Sequence, residues 1–178
     1  MAQSPNPTSN DNWGLSDVIL QGFIGPSDAG DIKWGIGPQI SLPTASEDYL
    51  EAAGMGGGLS GVVVTKIGNW GLTGVAGHLW GQNGDFSTSL FRPFVSYNVE
   101  SIPGFSISTS PQITYDWKAE SGNGWTIPIG GGFTQAVPFS STKAMLVGLS
   151  AYKFAQQAEF GPEWQVNLTL AFMFAEDR

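Results

Sequence analysis

The chain has 178 residues, which is enough for one domain with a substantial core. Charged residues make up only 12% of it, about half the share that is usual in soluble proteins. The formal net charge of −8 argues against a nucleic-acid partner, and the absence of cysteine excludes disulfides and thiolate metal sites.

Residues 1–12 are polar, contain two prolines and show no periodicity, so we predict a flexible N-terminal arm before a single domain over residues 13–178. The sequence shows no signal peptide and no apolar run long enough for a membrane helix. We interpret the chain as the mature form of an exported protein to which a start methionine has been added; the alternative is a protein that is never exported.

Beyond the arm, short runs of alternating apolar and polar residues are separated by turn signals, which is typical of β-strands. The predicted strands are residues 15–24, 31–42, 57–66, 69–81, 86–100, 105–118, 125–137, 143–154 and 164–175. The acidic segment 43–55 is the longest predicted loop, and a helical turn within it is compatible with its sequence. Helical periodicity is not sustained elsewhere.

The alternation is clearest in segments 105–118 and 164–175, where one parity is apolar and the other carries mostly small or neutral polar groups. Successive side chains of a strand point to opposite faces, so each segment has one apolar and one polar face. Strands of this length exceed the ~5–6 residues typical of soluble domains. We therefore predict an all-β fold, an antiparallel up-and-down transmembrane β-barrel of about 8–10 strands with apolar faces toward lipid.

Tryptophans mark the ends of the predicted strands. The indole ring is amphipathic and prefers the level of the lipid headgroups. The predicted interfacial aromatic girdle consists of Trp13, Trp34, Trp70, Trp80, Trp117, Trp125 and Trp164. The alternative is that these rings cap the ends of a soluble core.

Two features conflict with a regular barrel. Pro38, Pro93, Pro111 and Pro128 fall inside predicted strands, although proline cannot donate to a strand ladder. We expect them to mark bulges or rim positions. The count of about nine strands is also odd, whereas bacterial single-chain barrels have an even number, so we expect one strand to be miscounted or missing.

The polar parity supplies the candidate lumen-facing residues. These are Asp17, Gln21, Lys33, Gln39, Arg92, Asn98, Glu100, Gln112, Asp116, Lys118, Gln165 and Asn167. They either line a selective pore or form a hydrogen-bonded plug, because a barrel of this size is just wide enough for its own side chains. Arg92 is expected to form a buried pair with Glu100 or Asp116.

His78 is the only histidine and shares its parity with Trp70, Leu72 and Trp80. We expect a packing or interfacial residue there, with no serine–acid pair beside it. The sequence therefore predicts neither catalytic residues nor a metal site, and no enzyme activity or cofactor is expected.

Several short motifs occur in an order that resembles a known family. They are Gly14-Leu15-Ser16-Asp17, Trp34-Gly35-Ile36-Gly37-Pro38, Leu42-Pro43-Thr44-Ala45, Trp70, Leu79-Trp80, Arg92-Pro93-Phe94, Tyr97, Thr114-Tyr115-Asp116-Trp117, Trp125, Pro128-Ile129-Gly130, Pro162 and Trp164. This succession resembles the phenol meta-pathway degradation family of outer-membrane β-barrel transporters. The resemblance implies further strands before Gly14, where this chain has its polar arm, so we expect the family's N-terminal strands to be absent.

The expected function is that of a bacterial outer-membrane β-barrel, a channel or transporter for small hydrophobic or aromatic compounds. Its expected partners are a lipid bilayer or detergent and such solutes, and the oligomeric state stays open. Two alternatives remain: a non-conducting barrel that anchors or binds through its loops, and a soluble β-barrel that binds an apolar ligand.

Overall fold

The computed structural model describes residues 18–28, 30–44, 54–140, 143–157 and 163–174. Their regular structure is entirely β, in ten strands. These are β1 Val18–Gln21, β2 Ile32–Leu42, β3 Gly56–Ile67, β4 Trp70–Gly81, β5 Ser87–Asn98, β6 Phe105–Thr109, β7 Ile113–Asp116, β8 Trp125–Pro138, β9 Lys143–Gln156 and β10 Trp164–Phe174. Within those ranges no helix is long and apolar enough to cross a membrane. The predicted arm and most of the predicted loop 43–55 lie outside the described residues.

The strands form one antiparallel sheet in which each strand pairs with its neighbour in sequence. Strands β6 and β7 both pair with β5 and β8, so together they occupy one position in the sheet. The described chain therefore occupies nine strand positions in the sheet. The prediction of an all-β, antiparallel, up-and-down arrangement is confirmed, and β1 and β10 are the two edge strands of the described sheet.

One predicted strand is interrupted. Residues 105–118 were expected to run without a break, but β6 ends at Thr109 and β7 begins at Ile113, with Pro111 between them. Proline has no N–H to give to a ladder, which explains the break at this point. The hydroxyl of Tyr152 on β9 accepts a hydrogen bond from the backbone N–H of Ser110 at 2.8 Å and so satisfies one of the freed groups.

Successive connections lie alternately at the two edges of the sheet where the chain turns; apart from residues 22–31, those at one edge have two to six residues and those at the other have five to thirteen. At one edge, which we call the short-turn edge, the connections are residues 22–31, 68–69, 99–104 and 139–142, and in the first of these Ile24 still bridges Ile36. At the other, the long-loop edge, they are residues 43–55, 82–86, 117–124 and 157–163. The predicted hairpin at Gly68 is confirmed, and its positive φ of 56° is one that glycine adopts without strain.

Apart from the break between β6 and β7 and a shift beside Pro128, register is continuous across the described sheet, so each strand side chain belongs to one of two faces. We call the face with Ile36, Leu59 and Leu168 the outer face, and the opposite one the inner face. All buried residues within the described strands lie on the inner face: Gly35, Gln39, Ser41, Gly56, Ser60, Leu79, Pro128, Gly148 and Tyr152. A single-layered sheet shields one of its faces only by curling toward it. The sheet is therefore concave on the inner side.

The outer face is apolar and exposed. Leu168 is 68% exposed, and Phe172 is 65% exposed. By contrast, Leu79 and Tyr152 are the buried hydrophobic residues among those described, while Gln39 and Ser41 are fully buried. This distribution is the reverse of that in a soluble domain, where apolar side chains fill the interior.

Glycines on the inner face permit the close approach of neighbouring strands. A Cβ added at Gly58 would overlap the carbonyl oxygen of His78 on β4, and one added at Gly132 would overlap that of Leu149 on β9. Glycine at such points lets a curved sheet bend. Pro128 adjoins a register shift between β8 and β9, as expected for a proline at a bulge.

The glycine contacts predict that alanine lowers stability at some glycines of the sheet and not at others. Gly58→Ala and Gly132→Ala should each lower the free energy of unfolding by about 1–3 kcal/mol, because the methyl group meets backbone atoms that cannot yield without bending the strand. Gly74→Ala is the control, since nothing lies within 4 Å of its added Cβ. Urea denaturation followed by circular dichroism measures the difference. Equal stability of Gly58→Ala and Gly74→Ala would contradict the assignment of the bend.

Candidate functional site: the inner face of the sheet

Register places most of the predicted lumen-facing residues on the inner face of strands. These are Gln21, Lys33, Gln39, Arg92, Asn98, Asp116, Gln165 and Asn167. Gln112 lies in the break between β6 and β7, while Glu100 and Lys118 lie in turns that follow β5 and β7. Asp17 lies outside the described residues.

The first three strands are joined on the inner face by an amide pair in which Gln39 is buried and Gln21 is exposed. Gln21 Nε2 donates to Gln39 Oε1 at 2.8 Å, and Gln39 Nε2 donates to the carbonyl oxygen of Leu59 at 3.3 Å. Gln39 is 0% exposed, so these bonds satisfy an amide that would otherwise be buried at a cost. This part of the inner space is filled by side chains.

The partners of Arg92 differ from the prediction. Its guanidinium donates to the amide oxygen of Gln112. Glu100 instead accepts from Asn69 Nδ2 at 2.5 Å, and Asp116 Oδ1 accepts from the backbone N–H of Lys118 at 2.9 Å. Arg92 is also exposed rather than buried. The expected buried pair with a carboxylate is therefore not what the structure shows, because both acidic residues belong to the strand ends.

Sequence reasoning missed an apolar stripe on the inner face. Its members lie on β3, β4 and β5 and have their side chains half-buried or exposed: Val62, Val64, Val75, Leu90 and Phe94. The run Val62–Val63–Val64 breaks the alternation of apolar and polar residues, and this break is the sequence feature that indicates an apolar stripe on the inner face. Lys66 was also missed, although counting by twos from Val64 places it on this face.

The apolar and cationic side chains of the inner face lie in adjacent rows across the strands. One row contains Val62, Val75 and Arg92, which are successive register partners. The next row contains Lys33, Val64, Thr73 and Phe94. Side chains that share a row or a diagonal are near enough to act on one ligand.

Aromatic rings form a band near each edge on the outer face. Trp70 and Tyr97 pair at the short-turn edge, with ring centroids 4.9 Å apart. Tyr115 lies 4.7 Å from Trp125 and 4.9 Å from Trp117 at the long-loop edge. The described tryptophans of the predicted girdle are between 45% and 68% exposed: Trp34, Trp70, Trp80, Trp117, Trp125 and Trp164. Trp13 lies outside the described residues.

His78 lies on the outer face between two serines of β5. Its Nδ1 is 2.9 Å from Ser89 Oγ and its Nε2 is 3.1 Å from Ser87 Oγ, and Trp117 Nε1 donates to Ser89 Oγ at 2.9 Å. The sequence groups His78 with apolar residues of its own strand and does not predict these serines. Because hydroxyl groups occupy both ring nitrogens, no carboxylate orients the ring as in a hydrolase triad.

No three histidine, aspartate or glutamate side chains of the described chain are grouped so as to hold a metal ion. Comparison of the chain with family models, curated proteins and solved structures finds no match. The family resemblance carried by the ordered motifs therefore stays a prediction.

The amide pair predicts a difference between two glutamines of the inner face. Gln39→Leu should cost about 1–2 kcal/mol of stability, because it deprives Gln21 of its acceptor and removes the bond to Leu59. Gln165→Leu is the matched control, since Gln165 is exposed and donates to the side chain of Asn167 on its own strand at 2.7 Å. Denaturant titration of both variants tests this. A control variant that loses as much stability would contradict the role given to Gln39.

Proposed function

We propose that this protein is a transmembrane β-barrel of the bacterial outer membrane that passes small hydrophobic or aromatic compounds. The observation that carries the proposal is the reversed polarity of the sheet, with exposed leucine, isoleucine and tryptophan outside and buried glutamine and serine inside. In water, such an outer face would leave a large apolar area unburied. In a bilayer the same face meets acyl chains.

The placement of charge supports a lipid-facing surface. On the outer face of the described strands the only charged residues are Lys143 and Lys153. Lys143 begins β9, and Lys153 lies near its other end. Lysine near the end of a spanning element reaches the interface with its flexible side chain, whereas a charge at mid-depth is costly.

Membrane insertion requires the edges of the sheet to be paired. Hydrocarbon offers no hydrogen bonds, so the free backbone groups of β1 and β10 need partners, which closure into a barrel would provide. After nine antiparallel passes β1 and β10 run in the same direction, so the closing pair would be parallel or would include a further strand. The concave inner face and the glycine bends support closure. By analogy with outer-membrane barrels, the short-turn edge faces the periplasm and the long-loop edge faces outward.

A non-conducting barrel is the second candidate, and the buried side chains of Gln39, Ser41 and Tyr152 favour it. They show that part of the inner space is occupied. Recordings in planar bilayers separate the two functions: stepwise conductance is expected of a channel, whereas an inserted but silent protein supports the filled barrel.

Two neighbouring residues on β10 test the orientation of the faces. Leu168→Arg should prevent or strongly impair folding into lipid vesicles, because an arginine on the lipid side at mid-depth costs about 2–4 kcal/mol. Asn167→Arg should be tolerated, since Asn167 lies on the half-buried inner face.

The measurement is the folded fraction of each variant in phosphatidylcholine vesicles, read from protease protection and circular dichroism. Equal damage from the two arginines would remove the basis for a lipid-facing outer surface. Wild-type protein that folds fully in buffer without lipid or detergent would favour the soluble alternative instead.

A further inference from the structure

We infer that the inner face of β2–β5 binds small carboxylates that carry an apolar body, such as an aromatic ring or a short alkyl chain. The inference rests on the proposed function, because it assigns the class of solute to the inner face of the barrel. Charge, geometry and the apolar stripe each contribute to it.

The inner face is cationic although the chain is acidic. The whole chain has 7 lysines and arginines against 15 aspartates and glutamates. On the inner face of the described strands the charged residues are Lys33, Lys66 and Arg92, opposed by the single carboxylate of Asp116. Asp116 lies at the long-loop end of β7, away from the rows that contain Lys33 and Arg92.

We call the inner face of β2–β5 the wall, and its positive charges are available to a ligand. Arg92 is exposed, and its partner Gln112 is a neutral amide that leaves the guanidinium charge uncompensated. Lys33 is exposed and pairs in register with Val64, two residues from Lys66 on the same face. Diagonal neighbours of this kind have Cα atoms about 7–8 Å apart, so Lys33 and Lys66 concentrate positive charge at this end of the inner face.

Apolar side chains separate the cations. Val64, Thr73 and Phe94 continue the row of Lys33, and Val62 and Val75 continue the row of Arg92. A solute lying across these rows covers valine and phenylalanine with its body and places an anionic end beside Arg92 or Lys33. Arginine binds a carboxylate through two parallel hydrogen bonds, which favours this anion.

Simpler solutes fit the wall less well. A neutral hydrocarbon would cover the valines but would leave three positive charges without a counter-ion. An inorganic anion would neutralise the charge but would leave the apolar stripe wet. A cation would meet Lys33, Lys66 and Arg92 directly, and rings of basic side chains are what exclude cations from anion pores.

The test compares an aromatic carboxylate with its neutral analogue. Isothermal titration calorimetry of the folded protein in a nonionic detergent measures binding of 2-naphthoate and of 2-naphthalenemethanol. We expect 2-naphthoate to bind more tightly than the alcohol. Because Arg92 and Lys33 lie three strands apart, one carboxylate reaches only one of them, so the double variant Arg92→Gln/Lys33→Gln should weaken naphthoate binding by about tenfold, the usual scale for one charge-assisted hydrogen bond, and each single variant by less. Binding of the alcohol should be unchanged in each variant.

Lys153→Gln is the matched control, because Lys153 lies on the outer face and its loss leaves the inner charges in place. Arg92 and Lys33 are both exposed, and the comparison of the acid with the alcohol in wild type tests the inference if a variant fails to fold. Equal binding of the acid and the alcohol to wild type, or unchanged naphthoate binding in the folded double variant, would overturn the inference.

The same preparation separates this inference from the proposed function. If the protein binds 2-naphthoate with the expected variant pattern but never inserts or conducts, the result supports the carboxylate site and contradicts the channel. If the protein inserts and conducts, prefers potassium over chloride in a salt gradient and binds both probes equally, the result supports the barrel and contradicts the carboxylate site.

Discussion

The antiparallel register that links β1 to β10 is the constraint on which the rest of the structure depends. Because side chains alternate with a period of two, a slip of one residue between any two strands would move all the following apolar side chains to the inner face. Ile36 and Leu42 on β2, Val63 on β3 and Phe91 on β5 stay on the same side. The reversed polarity is therefore a property of the whole sheet and not of single strands.

The curvature of the sheet depends on positions of the inner face that carry no side chain. Gly35, Gly58 and Gly132 place no side chain on the concave side, where strands approach closely, while bulky rings such as Trp34 lie on the convex side. Small inner and large outer groups give a sheet a natural curvature toward the small ones. The same distribution leaves space between the inner side chains, which a solute or a hydrogen-bonded plug would occupy.

Sequence alone predicted the strands and their faces well, since alternation over ten residues is a strong local signal. The pairs Ile107 with Phe133 and Leu149 with Leu168 lie on the predicted apolar side. What it could not predict depends on contacts between distant strands. The amide partner of Arg92 and the serines beside His78 each require the register of a neighbouring strand, whereas the break at Pro111 follows from the missing N–H of proline.

Charge is sorted between strands and connections, which links the fold to the chemistry of its inner face. Among the described carboxylates only Asp116 lies within a strand, whereas Lys33, Lys66, Arg92, Lys143 and Lys153 all do. A lysine or arginine can lay its aliphatic stem along apolar neighbours while its charged end reaches water, which a short carboxylate cannot do. The acidic groups therefore collect in the turns and loops, and the wall between the two edges keeps a positive charge that the net charge of −8 conceals.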